Sequence, residues 1–328
     1  MEGRHHIFRN NFHELNVSWL PGGHAQTIWP ALFGSAPTLL TRRERWELED
    51  GDFVDADWLD AADPAAPVLV IFHGLEGSAQ SHYARAMAAA ASTAGYAVCL
   101  PHFRGCSGEP NRLPRAYHSG DADEIERMLL KAQRPGAALY AVGVSLGGSA
   151  LLNYLATRQT GAIIEAALAV CAPLDLAASG YAIGKGFAMV YTRMFLKTLK
   201  LKAAEKLQRF PGIYDPKKMR EARTLYDFDN LFTAPLHGFS DTQDYWHRAS
   251  SKPKLKAIKT PTLILNTLND PLVPKESLPS AGQVSAQVRL STPSYGGHVG
   301  FATGKPPGRL SWLPQTMLDY FGKRSAGG

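Results

Sequence analysis

Short, wholly apolar segments alternate with amphipathic segments through most of the chain after residue 67. A continuous apolar segment of this kind is typical of a strand buried on both faces, as in a parallel sheet. The amphipathic segments have the length and spacing of helices that cover such a sheet. The alternation predicts a doubly wound α/β sheet with strands at 68–72, 96–100, 138–144, 166–171, 261–266 and 285–290 and helices at 81–93, 121–133, 146–157 and 313–321.

Residues 42–58 follow a different pattern, in which charged and bulky residues alternate with a period of two. The alternation is interrupted at Asp50-Gly51-Asp52, a sequence typical of a tight turn. We therefore expect an antiparallel hairpin that precedes the parallel strands.

Between residues 174 and 251 the strand pattern gives way to helical stretches with several aromatic residues and scattered prolines. Strands are predicted on both sides of this segment, which indicates one interrupted domain rather than two domains in tandem. The predicted division is an α/β core formed by residues 1–173 and 252–328, with a helical cap at 174–251.

A serine lies directly after the predicted strand 138–144 and before a predicted helix. Ser145 has glycines two residues away on each side, at Gly143 and Gly147. A sharp strand-to-helix turn needs small residues at those two positions because its flanking segments pack closely. The pattern predicts a nucleophile elbow, with Ser145 exposed at the top of the sheet.

A serine nucleophile needs an imidazole to accept its proton and a carboxylate to orient that imidazole. Asp270 follows the predicted strand 261–266, and His298 follows the predicted strand 285–290. This is the chain order of hydrolases that use such an elbow. The backbone N–H groups of Leu75, in a turn after strand 68–72, and of Leu146 are the candidate donors of an oxyanion hole. His73, in the same turn, is interpreted as a structural residue.

Simpler interpretations exist for several of these features. The elbow pattern alone could be a tight turn or a glycine-rich ligand loop, and only its combination with Asp270 and His298 favours catalysis. The segment 237–241 matches an HXXXD acyltransferase pattern, which arises often by chance. A stretch with Arg193, Lys197, Lys200 and Lys202 among apolar residues could touch a membrane, but a solvent-exposed basic face of a cap helix is the favoured interpretation.

Composition narrows the class of protein. The formal net charge is +6, but the basic residues are spread along the chain without a nucleic-acid-binding pattern, which argues against a nucleic-acid partner. Three cysteines give no disulfide framework, and Cys99 and Cys171 are predicted to be buried. No signal peptide, transmembrane segment or clustered metal-ligand spacing is evident. We therefore expect a cytoplasmic protein without a metal or other cofactor.

The chain resembles the YheT/EMB8-like branch of the α/β-hydrolases over most of its length. The residues that carry the resemblance are GHAQT at 23–27, HGLEG at 73–77, FRGCSGEPN at 103–111, YHSG at 117–120, GVSLGG at 143–148, TAPLHGF at 233–239, NDPLVP at 269–274 and GGHVGF at 296–301. The resemblance implies an α/β-hydrolase fold, a triad of Ser145, His298 and Asp270, and hydrolysis of carboxylic esters. It gives no role for GHAQT or RGCSGEPN.

These observations predict a serine esterase that acts on a small-molecule ester through an acyl-enzyme. Phe187, Met189, Tyr191 and Phe195 are candidates for an apolar acyl pocket, which favours short to medium acyl chains. Two alternatives stay open: an acyltransferase that uses the same acyl-enzyme, and a non-catalytic binding protein with this fold. The natural substrate and the oligomeric state are not determined by the sequence.

Overall fold

The computed structural model describes residues 15, 17 and 19–325, with side chains as far as residue 322. Within these residues one sheet contains eight strands in the order β1-β2-β4-β3-β5-β6-β7-β8. Neighbouring strands from β3 to β8 run parallel, whereas β2 is antiparallel to both β1 and β4. The strands are β1 Arg42–Glu47, β2 Phe53–Leu59, β3 Val68–Phe72, β4 Ala97–Pro101, β5 Leu139–Val144, β6 Ala166–Val170, β7 Thr262–Leu265 and β8 Val288–Ser291.

Helices account for most of the remaining regular structure. The α-helices are α1 Gly22–Phe33, α2 His82–Thr93, α3 Ala122–Ala132, α4 Leu146–Arg158, α5 Leu176–Ile183, α6 Met189–Arg209, α7 Pro216–Glu221, α8 Leu225–Phe228, α9 Ala234–Leu236, α10 Thr242–Ala249 and α11 Trp312–Ser325. A π-helical turn, Asp229–Thr233, joins α8 to α9, and short 3-10 turns lie at Gln159–Gly161, Gly186–Ala188, Lys252–Ala257, Lys275–Ser277 and Ala281–Gln283.

Helices cover both faces of the sheet, and β3 shows why. Its alternate residues Val68, Val70 and Phe72 belong to one buried cluster, which includes side chains of α3 and α4. Leu69 and Ile71 belong to another cluster, with side chains of α2 and α11. Because successive residues of a strand point to opposite faces, a fully apolar strand is stable only when both faces are covered.

The predicted fold is confirmed. The hairpin forms as expected, with Arg45 opposite Asp55 across β1 and β2, and Cys99 and Cys171 are buried. One predicted strand, 285–290, is wrong in extent. Residues 285–288 form a turn that the bond from the Val288 N–H to the Ser285 carbonyl closes (3.1 Å), and β8 begins only at Val288. The helix α1 was not predicted.

Helices α5 to α10 lie between β6 and β7 in the chain and have a small core of their own. The buried members of this core are Leu196, Leu199, Ala203, Met219, Phe228 and Phe232. Leu75 of the turn after β3 is partly buried against them. This contact brings the inserted helices over the carboxyl ends of β3 and β5. The domain limits 1–173, 174–251 and 252–328 stay a proposal.

Candidate active site

Ser145 lies in a strained turn between β5 and α4. Its φ of 53° and ψ of −120° place it outside the regions that an ordinary residue prefers. The strain is held by the sheet, since the Ser145 N–H donates to the Val170 carbonyl of β6 at 2.8 Å. The turn leaves the hydroxyl at the wall of a cavity and points the first N–H groups of α4 towards it.

The two predicted elbow glycines are required by packing. A Cβ on Gly143 would lie 2.5 Å from the Gly147 carbonyl oxygen. A Cβ on Gly147 would lie 2.5 Å from the His73 carbonyl oxygen and 2.7 Å from that of Phe72. Such distances are well inside van der Waals contact with backbone atoms that cannot move aside. Only glycine at these positions allows α4 to pack against β3 and β5.

The structure brings Ser145, His298 and Asp270 together from three separate loops. His298 Nε2 lies 3.0 Å from Ser145 Oγ, and His298 Nδ1 lies 2.8 Å from Asp270 Oδ2. The Asp270 side chain is fully buried, and its other oxygen accepts the backbone N–H groups of Leu272 and Val273 at 2.8 and 3.1 Å. These bonds fix the carboxylate in its orientation, so that it can hold the imidazole with Nδ1 protonated and Nε2 free to accept a proton.

The predicted oxyanion donors lie beside the same hydroxyl. Leu75 and Leu146 line one cavity with Ser145 and His298. A Cβ built on Gly74 would lie 3.1 Å from Ser145 Cβ, so the turn after β3 lies directly against the nucleophile. His73 supports this turn, because its Nδ1 donates to the Gly74 carbonyl and its Nε2 accepts the Phe103 N–H. Burial lowers the pKa of His73 to about 3, which keeps it neutral and suits the predicted structural role.

Helix α1 holds the loops that carry the histidine and the aspartate. The Thr27 hydroxyl accepts the His298 N–H at 2.8 Å. Gln26 Oε1 accepts the Gly296 N–H at 2.8 Å and the Asn269 side-chain amide at 2.9 Å. These residues are the last two of GHAQT, a segment to which the resemblance assigns no role. The only sign of their importance in the sequence was that GHAQT is one of the motifs of the family resemblance. The neighbouring residues did not indicate which loops Gln26 and Thr27 contact.

The FRGCSGEPN segment is anchored by a buried charge cluster. Arg104 is fully buried and pairs with Asp50, Asp52 and Glu124 at 2.7 to 2.8 Å. Despite the opposing effect of burial, these carboxylates raise the pKa of Arg104 above its ordinary value. Asn111 donates to Asp52 at 2.6 Å. The segment is thus fixed to the hairpin turn and to α3, and it forms one wall of the cavity.

The cavity has a volume of about 440 Å³ and reaches from Ser145 to the inserted helices. Its apolar wall includes Ile183, Phe195, Leu199, Phe228 and Phe232. The prediction of the acyl-pocket residues is mostly wrong. Only Phe195, one of the four predicted residues, lines the cavity. Phe187 is exposed, and Tyr191 is buried in a neighbouring cluster.

The HXXXD pattern at 237–241 and the basic residues of α6 both lie in the inserted helices. His237 donates to the Thr233 carbonyl at 2.7 Å, whereas Asp241 caps the N-terminus of α10. The two residues of the HXXXD pattern therefore have separate structural roles. Of the four basic residues, Arg193 and Lys197 are exposed to solvent as expected. The other two are half-buried: Lys200 donates to the carbonyls of Arg220 and Ala222, and Lys202 lines the cavity.

Among the described residues, one cluster has the spacing of metal ligands, and it is the site itself. One ligand atom each from Cys171, Asp270 and His298 lies within 4.8 Å of the others. Burial keeps the pKa of the Cys171 thiol well above its ordinary value, and His298 Nδ1 already bonds to Asp270. The donor set therefore fits a hydrogen-bonded histidine better than a cation.

Comparison with known proteins shows the family to which the chain belongs. The family model described as alpha/beta hydrolase fold matches residues 67–305. A protein of Escherichia coli strain K12 named "Putative esterase YheT" is 40% identical over 303 residues, which cover 90% of this chain and 89% of the relative. The chain belongs to the α/β-hydrolase family, in its YheT/EMB8-like branch. The resemblance and the fold class inferred from the sequence are thereby confirmed.

More distant members of the family carry names of lipid hydrolases. Human phospholipase ABHD3 is 26% identical over 313 residues, covering 92% of this chain and 76% of the relative. The monoacylglycerol lipase of Saccharomyces cerevisiae is 30% identical over 251 residues, covering 73% and 56%. Among solved structures, Est1E from Butyrivibrio proteoclasticus with ferulic acid has a TM-score of 0.56 at 14% identity, covering 88% of this chain and all of that one. This last likeness concerns the fold alone.

The chain is thus an α/β-hydrolase related to esterases and lipases. Among the described residues, none of the helices is both long enough and apolar enough to cross a bilayer.

Proposed function

We propose that this α/β-hydrolase cleaves carboxylic esters with Ser145 as nucleophile, His298 as general base and acid, and Asp270 as the residue that orients His298. The observation that carries the proposal is the unbroken series of hydrogen bonds from Ser145 Oγ through His298 to Asp270. A serine hydroxyl is unreactive near neutral pH without such a partner. The 40% identical relative named as an esterase points to the same chemistry.

The residues divide the reaction into two steps. In the first, Ser145 Oγ attacks the ester carbonyl carbon while its proton moves to His298 Nε2. The carbonyl oxygen becomes an oxyanion that the N–H groups of Leu75 and Leu146 stabilise. The alkoxide leaves with the proton from His298, and the acyl group stays on Ser145. In the second step His298 takes a proton from water, which attacks the acyl-enzyme. The acyl–Oγ bond then breaks, His298 returns the proton to Ser145 Oγ, and the acid is released.

The cavity supports a substrate with a short to medium acyl chain. Its volume of about 440 Å³ is in the range of roughly 300–1,000 Å³ that small-molecule sites have. Its apolar wall is formed by residues of the proposed cap, 174–251, together with residues of the core. Each CH₂ group buried there contributes about 0.8 kcal/mol to binding. The cytoplasmic setting and the absence of a nucleic-acid partner stay predictions.

A panel of p-nitrophenyl esters with acyl chains of increasing length tests the proposal. The Ser145→Ala variant should lose kcat by a factor of at least about 10⁴. Ser92→Ala, in α2 and outside the cavity, is the matched control and should be unchanged. Turnover by Ser145→Ala at the rate of the control would contradict the assignment. A rate that does not depend on acyl length would contradict the apolar pocket.

A further inference from the structure

A lysine of the inserted helices reaches the turn that carries Leu75. Lys202 lies on α6, and its Nζ donates to Glu76 Oε1 at 2.9 Å and to Cys106 Sγ at 3.4 Å. The Glu76 side chain is only 6% exposed, and that of Lys202 is 37% exposed. Burial acts to lower the pKa of Lys202, but Cys106 and Glu76 outweigh it and raise that pKa. Lys202 therefore stays cationic at neutral and mildly alkaline pH.

Glu76 itself has an unusual backbone. Its φ of 54° lies in the left-handed region, which costs free energy for a residue with a side chain. Its N–H donates to the Tyr117 hydroxyl at 2.8 Å, and the same hydroxyl donates to Glu76 Oε1 at 2.8 Å. One phenol thus holds both the backbone and the side chain of Glu76, and Lys202 holds the same carboxylate oxygen.

The peptide on the other side of Leu75 is equally fixed. The Gly74 carbonyl accepts His73 Nδ1–H at 2.7 Å and the Gly77 N–H at 3.0 Å. In a trans peptide the N–H points opposite to the carbonyl, so these two bonds set the direction of the Leu75 N–H. The Leu75 N–H therefore belongs to a peptide held by His73 and Gly77, and the peptide that follows Leu75 is held through Tyr117, Glu76 and Lys202.

We propose that Lys202 is a positioning residue for the oxyanion hole: it holds the Glu76 carboxylate, and thereby the Leu75 N–H, in the geometry that the transition state needs. The inference rests on the proposed function. A charge-assisted hydrogen bond is stronger than a neutral one, and without it Glu76 can turn towards the cavity and release Tyr117. Lys202, a residue of the inserted helices, thus helps to position the Leu75 N–H, an oxyanion donor of the α/β core.

The test separates positioning from binding and from stability. Lys202→Met removes the charge but keeps most of the side-chain volume, and Lys202→Arg restores the charge. Lys197→Met, on the exposed side of the same helix, is the matched control. For each variant kcat is measured per active site titrated with a fluorophosphonate. The inhibition constant of a trifluoromethyl ketone is measured as well, since Ser145 Oγ adds to its carbonyl carbon and leaves an oxyanion, the proton passing to His298.

Loss of a whole oxyanion donor costs about 10² to 10³ in kcat, and displacement of one should cost less. We expect Lys202→Met to lower kcat about tenfold and to weaken trifluoromethyl ketone inhibition by a similar factor. KM should stay within about twofold because ground-state binding does not use the oxyanion. Lys202→Arg should recover most of the loss, and Lys197→Met should match the wild type.

Glu76→Gln provides a second route if Lys202→Met fails to fold. Glutamine keeps a partner for Tyr117 but loses the ion pair, so the same pattern should appear in a weaker form. The double variant Lys202→Met with Glu76→Gln should be no worse than the worse single variant, because both act through one contact.

Three outcomes would overturn the inference. The first is an unchanged kcat and inhibition constant in Lys202→Met. The second is a raised KM with unchanged kcat, which would mean that Lys202 contacts the substrate. The third is a lower melting temperature with unchanged kcat per titrated site, which would mean a structural role. By contrast, turnover by Ser145→Ala would overturn the proposed function and not this inference alone.

Discussion

The Thr27 hydroxyl accepts the backbone N–H of His298 at 2.8 Å, across 271 residues of sequence. It also donates to the Gly23 carbonyl at 2.7 Å, so helix α1 is tied to the loop that carries the imidazole. This bond fixes the backbone at the point from which the His298 side chain reaches Ser145.

Replacement of Thr27 by valine should therefore misplace His298. Valine has nearly the same shape but leaves the partly buried His298 N–H without its acceptor, which costs about 1 kcal/mol or more. We expect kcat for a p-nitrophenyl ester to fall about tenfold or more. Thr27→Ser keeps the hydroxyl and should retain most of the activity. Equal kcat values for the two variants would contradict this role of α1.

The sequence was sufficient to predict the nucleophile elbow, but it did not predict the contacts by which α1 holds the loops of Asp270 and His298. Ser145, Gly143 and Gly147 lie within one local strand-turn-helix pattern, and Asp270 and His298 each follow a predicted strand. By contrast, the contacts of Gln26 and Thr27 join α1 to loops more than 240 residues away, and no local periodicity encodes such a pairing.

The helix α6 shows a second limit of sequence reasoning. It carries basic residues on more than one side, so its sequence did not distinguish Lys197, which is exposed, from Lys202, which lines the cavity. The acyl-pocket residues were predicted wrongly for a similar reason. Phe187 and Phe195 are equally apolar, and the sequence does not show which of them faces the cavity.

Asp270→Asn should preserve the fold and remove most of the activity. Asparagine can still accept the N–H groups of Leu272 and Val273, but its amide favours the wrong tautomer of His298. In serine proteases the corresponding change lowers kcat by about 10⁴, and we expect a similar loss here. The check is kcat at pH 7 alongside the urea unfolding midpoint. Retention of more than a tenth of wild-type kcat would show that Asp270 does not orient the imidazole.

Gly147→Ala should destabilise the protein strongly. The new Cβ would approach the backbone oxygens of His73 and Phe72 within 2.7 Å, so α4 would have to move away from β3. We expect a loss of about 3 kcal/mol or more in the free energy of unfolding. Gly282→Ala is the control, because a Cβ there meets nothing within 4 Å. Similar urea midpoints for the two variants would refute the packing requirement.

Asp229 should make stability depend on pH between about 4 and 7. It lies half-buried at the cavity wall, where it accepts the Thr233 hydroxyl and Trp246 Nε1–H, and the burial of its carboxyl group raises its pKa to about 6. Because the folded state holds this proton more tightly than the unfolded state, Asp229 lowers the free energy of unfolding as the pH rises through that range.

Asp229→Asn should remove this dependence. The difference in unfolding free energy, variant minus wild type, should rise by about 2 kcal/mol from pH 4 to pH 7. Urea titrations at several pH values measure it. A difference that stays constant over the range would mean that Asp229 ionises in the folded protein as it does in the unfolded chain.

The most direct test of the proposed chemistry is to identify the residue that a fluorophosphonate modifies. The wild-type protein is incubated with the probe at pH 7.5, digested, and analysed by mass spectrometry, with the His298→Ala variant treated in parallel. The proposed function predicts one label per chain on Ser145 in the wild type and much slower labelling in the variant. Absence of label on Ser145, or equal labelling rates in the two proteins, would contradict a histidine-activated serine nucleophile.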